Sequence, residues 1–157
     1  MKLQCKINSE EQMQALAQRM AACLLPILAE RSGCILWLEG DLGAGKTFFT
    51  RALLQAWGVT GMVCSPTYTL LNQYTCAVGL VVHMDLYRLR DPEELLCLGI
   101  DDLSDAPLWV VEWPDRGAGF MPEADLMLHL AYEGEGRLAT LHTTNSSLKP
   151  HLKMVFT

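Results

Sequence analysis

No apolar run in this 157-residue chain approaches the ~20 residues that carry a helix across a bilayer. The longest, Ala21–Ala29, has nine residues and is interrupted by Pro26, so a spanning helix is excluded. The N-terminus, MKLQCKINSEEQMQ, has no apolar core of signal-peptide length and turns acidic at Glu10. A cytoplasmic protein without a membrane anchor is therefore expected. Cationic residues are scarce: 12 Lys plus Arg face 18 Asp plus Glu, for a net charge of −6. A surface of that sign does not attract a phosphate backbone, which argues against a dedicated nucleic-acid binder. Short cysteine spacings are missing too. Among Cys5, Cys23, Cys34, Cys64, Cys76 and Cys97 the closest pair is 11 residues apart, too far for a zinc knuckle or a redox pair. Most lie in apolar stretches, so free, buried thiols in a reducing compartment are expected. Repeats and low-complexity tracts are absent as well.

What is present is a chain 50% apolar, too hydrophobic for intrinsic disorder. Its length suits one domain, residues 1–157, which buries enough surface to need neither metal nor disulfide for stability. Leu3–Ile7 predicts a short edge strand. Asn8 or Ser9 then offers an N-cap, with Glu10 and Glu11 in the favourable first turn. Met13, Leu16, Ala17, Met20, Cys23 and Leu24 recur at helical spacing, and Pro26 predicts a bend or an end. The run CILWL at Cys34–Leu38, bounded by Gly33 and Gly40, predicts a strand covered on both faces. Lys46–Trp57 reads as a helix with Phe49, Ala52, Leu53 and Ala56 on one face, stopped by Gly58. Val63–Tyr74 looks extended around Pro66, and a turn at Gly79 leads into a strand Leu80–Asp85. Asp91-Pro92-Glu93-Glu94 is a helix start, with Gly99 at its end. Leu108–Val111 is a further apolar strand ending at Glu112. Residues 113–122 read as an ordered loop. Asp125–Tyr132 and Arg137–Thr143 read as a hairpin, and the last dozen residues as loosely held.

Between the CILWL strand and the helix lies Gly40-Asp41-Leu42-Gly43-Ala44-Gly45-Lys46-Thr47, which satisfies every fixed position of the nucleotide phosphate-loop motif. The glycines let main-chain N–H groups turn inward on an anion, and the helix that follows points its positive end the same way. Lys46 can reach terminal phosphates, and the Thr47 hydroxyl can ligate Mg²⁺. Given 12 Gly, 5 Lys and 16 Ser plus Thr, about three chains per thousand of this composition would carry the motif by chance. The strand before it and the helix after it lower that figure further.

Such a loop needs acidic partners at neighbouring strand ends. Asp85, after LVVHM, and Glu112, after LWVV, have the required pattern. Either can serve the metal or orient the attacking water. Thr67 and Thr69, in Ser65-Pro66-Thr67-Tyr68-Thr69, follow the first loop-linked helix, where related NTPases sense the terminal phosphate. His83 reads as a packed strand histidine ahead of an acid or base. Arg88 can meet phosphate charge or pair with Asp85 or Asp91. Trp113 is either a packing anchor or part of a partner surface.

Five segments together resemble the TsaE-type ATPase family of bacterial tRNA threonylcarbamoyladenosine synthesis: LEGDLGAGKT at 38–47, SPTYTLLNQY at 65–74, HMDLYRL at 83–89, DPEELLCLGIDD at 91–102 and VEWPDRG at 111–117. The first is generic to phosphate-loop proteins, whereas its combination with the second, third and fifth is specific. The resemblance implies an ATPase with ATP and Mg²⁺ as cofactors. Its partners would be TsaB- and TsaD-like proteins of the transferase that modifies adenosine 37 in tRNAs reading codons that start with A. Contact with tRNA would be indirect, and hydrolysis would reset the complex between turnovers. By the same resemblance Gly40, Asp41, Leu42, Gly43, Ala44, Gly45, Lys46 and Thr47 hold the phosphates, and Thr47 and Glu112 serve the metal. Lys46, Asp85 and Glu112 carry catalysis, with Asp85 supporting metal or water. Thr67 lies in the switch segment, Trp113 beside the metal carboxylate, and Glu10 on the adenine side. Phe48 stands where a small hydroxyl residue is common in the family, and Asp115 where Glu is common.

The implied fold is α/β: a P-loop NTPase-like three-layer sandwich around a mixed sheet. Strands near the phosphate loop would be parallel, those from 63–85 and the 125–143 hairpin antiparallel, and helices would cover both faces. Two other functions fit the same loop. A small-molecule kinase would need an acceptor pocket and a cationic lid, and the chain has only seven Arg. A non-catalytic module would use ATP only as an assembly signal.

Overall fold

The computed structural model describes residues 1–156. Within them, seven strands form one sheet: β1 (Lys2–Ile7), β2 (Cys34–Gly40), β3 (Leu71–Cys76), β4 (Gly79–Asp85), β5 (Leu108–Glu112), β6 (Leu126–Glu133) and β7 (Gly136–His142). Their order is β1-β7-β6-β2-β5-β4-β3. β2 is central and runs parallel to both β5 and β6, and β4 is parallel to β5. The β3–β4, β6–β7 and β1–β7 pairs are antiparallel. This is the mixed sheet that the sequence pattern implies.

One face is covered by α1 (Glu10–Glu30), α2 (Lys46–Ala56) and α3 (Lys149–Leu152). Leu36, Leu38, Val81, Val110, Leu128 and Leu141 point into that layer and meet Leu16, Met20, Leu24, Phe49 and Leu53. Ser9 caps α1, its Oγ accepting from the Gln12 N–H at 3.1 Å. Pro26 does not end α1, which runs on to Glu30 with the Arg31 N–H closing on the Ile27 carbonyl. Pro26 and the Ala22 carbonyl it deprives lie on exposed positions, where solvent can satisfy the freed carbonyl. In α2 the buried face is completed by Leu54 and Trp57, while Ala56 is exposed.

The opposite face is covered over β4 and β5 by 3-10 turns, not by α-helices. Pro92–Leu98 and Ile100–Leu103 pack Leu95 and their flanking apolar residues on Val82, Met84, Trp109 and Val111. Asp91 caps the first turn as its sequence implies, accepting from the Glu93 N–H at 3.0 Å. The helix expected there tightens to 3-10 geometry and stops at Gly99, φ +68. The extended segment expected over Val63–Tyr74 begins only at Leu71, because residues 64–69 form an irregular turn ending at Leu70, φ +64. The C-terminal segment is held, not loose: Leu148, Leu152 and Val155 are buried and Arg19 donates to the Val155 carbonyl at 2.6 Å. All six cysteines are free, but only Cys34 is buried; Cys64 and Cys97 are exposed. Among the described residues no helix is long and apolar enough to cross a membrane.

Candidate functional site

Parallel pairing of β2, β4 and β5 sends their carboxyl ends to one edge, and the phosphate loop starts there. Gly40 closes β2 opposite Leu130 of β6. It has φ +142, and a Cβ on it would lie 2.3 Å from the Leu130 carbonyl oxygen, so only glycine lets the chain leave the sheet here. Gly43 and Gly45 also have positive φ, +76 and +111. α2 therefore begins at Lys46 directly after the turn, its N-terminal N–H groups facing the loop.

Asp85 and Glu112 are register partners across β4 and β5. With His83 they share the face covered by α2, next to Val81 and Val110. All three are nearly inaccessible. Glu112 aims both carboxylate oxygens at the Thr47 hydroxyl, 3.4 Å from each. The His83 Nε2 lies 2.6 Å from Glu112 Oε2, and since a carboxylate accepts, the imidazole donates. Asp85 Oδ2 accepts from Ser65 Oγ at 3.0 Å and Thr67 Oγ1 at 3.1 Å, while its Oδ1 accepts from the Tyr87 N–H at 3.0 Å. The 64–69 turn is thus tied to the β4 acid by two hydroxyls.

Lys46 is 6% exposed and donates to the Gly40 and Asp41 carbonyls, lying 4.5 Å from the Trp113 ring centroid. Burial pushes its ammonium below the usual lysine range, and the Glu112, Asp85 and Asp41 carboxylates pull it back up. Trp113 has φ +55, a strained conformation for a bulky residue, and its ring lies 4.9 Å from that of Tyr87. It contacts the site lysine on one side and the half-buried Tyr87 and exposed Arg116 on the other.

Two cavities open on opposite sides of the loop. One, of about 220 Å³, is lined by Lys46, Thr47, Ser65, Thr67, Asp85 and Glu112. The other, of about 320 Å³, lies between the start of α1 and the β6–β7 hairpin, with Glu10, Met13, Phe48 and Arg137 in its wall. They share Gly43, Gly45 and Phe48, so the loop is the partition between them. Of the residues singled out in the sequence, Glu10, Leu42 to Thr47, Thr67, Asp85, Glu112 and Trp113 line one of these spaces, whereas Gly40, Asp41, Thr69, His83 and Arg88 line neither. Glu10, first residue of α1, is on the far side from the carboxylates. Asp41 and Leu42 are exposed at the crest of the loop. Thr69 turns away to Asn72, and Arg88 stacks on the exposed Tyr68 ring 4.3 Å away. The sequence reading does not point to Ser65, Tyr132 or Arg137. Ser65 had a signal in its place two residues before Thr67; the other two had none, because their approach to the loop depends on hairpin register.

The fold and this edge define a P-loop-like α/β sandwich. Residues 7–139 match the family model described as threonylcarbamoyl adenosine biosynthesis protein TsaE. The chain is 42% identical to the Haemophilus influenzae tRNA threonylcarbamoyladenosine biosynthesis protein TsaE, over 83% of each chain. It is 36% identical to the Bacillus subtilis protein of the same name, covering 82% of this chain and 77% of that one. The crystal structure of YdiB from Bacillus subtilis superposes with a TM-score of 0.77 at 25% identity, covering 99% of this chain and 94% of that one. The chain belongs to the TsaE family.

Proposed function

We infer that this protein is a cytoplasmic Mg-ATP-binding and slowly hydrolysing accessory protein of tRNA threonylcarbamoyladenosine synthesis. It acts as a nucleotide switch on a TsaB–TsaD-type transferase, and tRNA meets the partners instead of this acidic chain. One observation carries the reading: Lys46, Thr47, Asp85 and Glu112, from three chain segments, line one cavity beside a glycine loop at a helix N-terminus. The donor set is hard oxygen, which suits Mg²⁺. Among the described residues no group of three or more His, Cys, Asp or Glu is placed to hold a metal alone. A cation here would therefore rest on Thr47 and Glu112 together with phosphate and water, as small, strongly hydrated Mg²⁺ does. When bound, Mg²⁺ neutralises charge on the phosphates during in-line transfer.

The chain's own parts have separable tasks. The loop N–H groups and Lys46 receive the phosphates, and Lys46 exchanges its carbonyl partners for them. Glu112, fixed by His83, faces the Thr47 hydroxyl. Asp85 holds Ser65 and Thr67, so a change at the terminal phosphate reaches the 64–69 turn and the exposed Tyr68 beyond it. Trp113 shields Lys46 from solvent. A switch needs such a segment, fixed on one side by the site and open on the other to a partner.

The test measures ATP and GTP binding and turnover for wild type, Lys46→Ala and Glu112→Ala, with and without the transferase pair. Expected are Mg-dependent ATP affinity, slow turnover alone and loss of affinity in Lys46→Ala. Glu112→Ala should bind ATP but not hydrolyse it. Unimpaired transferase support by Glu112→Ala would favour a non-catalytic module. Phosphorylation of a supplied metabolite beyond free phosphate release would favour a kinase.

A further inference from the structure

The outer side of the phosphate loop is gripped by two side chains of the β6–β7 hairpin. Tyr132 and Arg137 are direct cross-strand partners beside the turn at Gly134. The Arg137 guanidinium lies 4.2 Å from the Tyr132 ring centroid. The Tyr132 hydroxyl donates to the Leu42 carbonyl at 2.7 Å. Arg137 donates from Nη2 to the Gly43 carbonyl and from Nε to the Ala44 carbonyl, both at 3.2 Å. Its Nη1 donates to the Gly136 carbonyl at 3.0 Å. Three consecutive loop carbonyls are therefore each held from one hairpin.

A trans peptide plane sets the next residue's N–H antiparallel to the carbonyl. Fixing the carbonyls of Leu42, Gly43 and Ala44 thus fixes the N–H directions of Gly43, Ala44 and Gly45. That of Ala44 closes a turn on the Asp41 carbonyl at 3.1 Å. Gly43 and Gly45 are the residues with most conformational freedom to lose, so a loop ordered only on binding would bind weakly. The contact is also sterically set: a Cβ on Gly43 would come 3.0 Å from the Tyr132 hydroxyl, and one on Gly136 would lie 2.6 Å from the Ile7 carbonyl oxygen. β7 therefore starts flush against the end of β1, and this seating delivers Arg137 to the loop. The guanidinium suits the task because it offers several donors in one plane; an ammonium is a single point.

We propose that Arg137 and Tyr132 are positioning residues that pre-order the phosphate loop for a nucleoside triphosphate, acting through the carbonyls of residues 42–44. The purpose, though not the brace itself, rests on Gly40–Thr47 being a phosphate site. Two measurements on the full chain test it: backbone ¹⁵N order parameters without nucleotide, and Mg-ATP affinity by calorimetry. In wild type, residues 43–45 should be rigid, with order parameters of about 0.85; in Arg137→Ala they should fall below about 0.6 while β2 and α2 stay unchanged. The same variant should weaken Mg-ATP binding at least ~10-fold, as loss of several hydrogen bonds from a charged donor implies. Arg137→Lys keeps the charge but reaches fewer carbonyls, and should remain weakened by at least ~5-fold; Tyr132→Phe, losing one hydroxyl, should weaken binding about 3-fold.

Weaker binding with an unchanged loop would mean that Arg137 touches the nucleotide itself, and would overturn the proposal. A disordered loop with unchanged affinity, or full recovery by Arg137→Lys, would overturn it too. If wild type binds no triphosphate, the functional reading falls, and the order parameters still decide the brace.

Discussion

The pair formed by His83 and Glu112 offers a quantitative test of the site. His83 is 0% and Glu112 2% exposed, so neither exchanges its partner for water. At 2.6 Å the imidazole is the closest donor to the carboxylate, the Thr47 hydroxyl being 3.4 Å away. His83→Leu keeps comparable bulk but leaves a buried carboxylate short of its main donor, which costs about 3 kcal/mol. The lower end of the range for broken buried pairs applies, because the His83 Nδ1 is itself buried without a partner among the described residues and its removal relieves a penalty. At roughly 2–4 °C per kcal/mol for a chain of this size, Tm should drop by about 6–12 °C. Glu112→Gln keeps a hydrogen-bonding acceptor and removes the charge, so it should cost about 1 kcal/mol. In the double variant the stranded charge no longer exists. Its destabilisation should fall short of the sum by at least ~1.5 kcal/mol. Urea unfolding of all four proteins without nucleotide, followed by circular dichroism, completes the cycle. Additivity within about 0.5 kcal/mol would show that His83 is core packing and does not fix Glu112.

Gly40→Ala forces a Cβ to 2.3 Å from the Leu130 carbonyl oxygen at φ +142. The β2–β6 pairing must yield by about 1 Å, and a loss of about 3 kcal/mol or more is expected in urea melts; a wild-type midpoint would refute the close approach. Burial raises the Cys34 thiol to about 12, helped by Asp125 and opposed by Arg31. At pH 8 its thiolate fraction is then about 10⁻⁴, so brief iodoacetamide treatment read by mass spectrometry should modify Cys64 and Cys97 and spare Cys34 until urea is added. Early labelling of Cys34 would contradict its burial.

Local chemistry made some features legible and left others hidden. The N-cap of α1, the strand before the loop, the start of α2 and the β6–β7 hairpin are readable because each is decided within a few residues. Ser9, the CILWL run, Lys46 and the Gly134 turn each act on their own neighbours. Pro26 misled because the cost of a helix proline depends on which way it faces, and facing is tertiary. Residues 64–69 misled because their β-branched and aromatic content suits a strand, yet Ser65 and Thr67 are drawn off the sheet by Asp85. The cysteines misled for a related reason, since an apolar neighbourhood in sequence did not bury Cys64 or Cys97. The placement of Asp85 and Glu112 at the ends of β4 and β5 is legible from a pattern that needs only a strand and its end. His83 reads as packing in the sequence because nothing within its own strand shows that Glu112 lies one strand away.

Register joins these parts into a site. β4 and β5 are parallel with Asp85 opposite Glu112, and β2 lies on the other side of β5 with Leu38 opposite Glu112. Side chains alternate between faces, so slipping β5 by one residue would turn Glu112 towards the 3-10 layer and Val111 towards Thr47. Slipping β4 would bury His83 and Asp85 against Leu95 and expose Val82 and Met84 to the cavity. The apolar residues forbid both shifts, because Val82, Met84, Trp109 and Val111 fill one core while Val81, Leu108 and Val110 fill the other. No polar residue of the site needs to set the strand register. Two hydrophobic layers of unequal construction fix the pairing, and the acids, the histidine and the glycine at the strand ends are carried to one edge as a consequence.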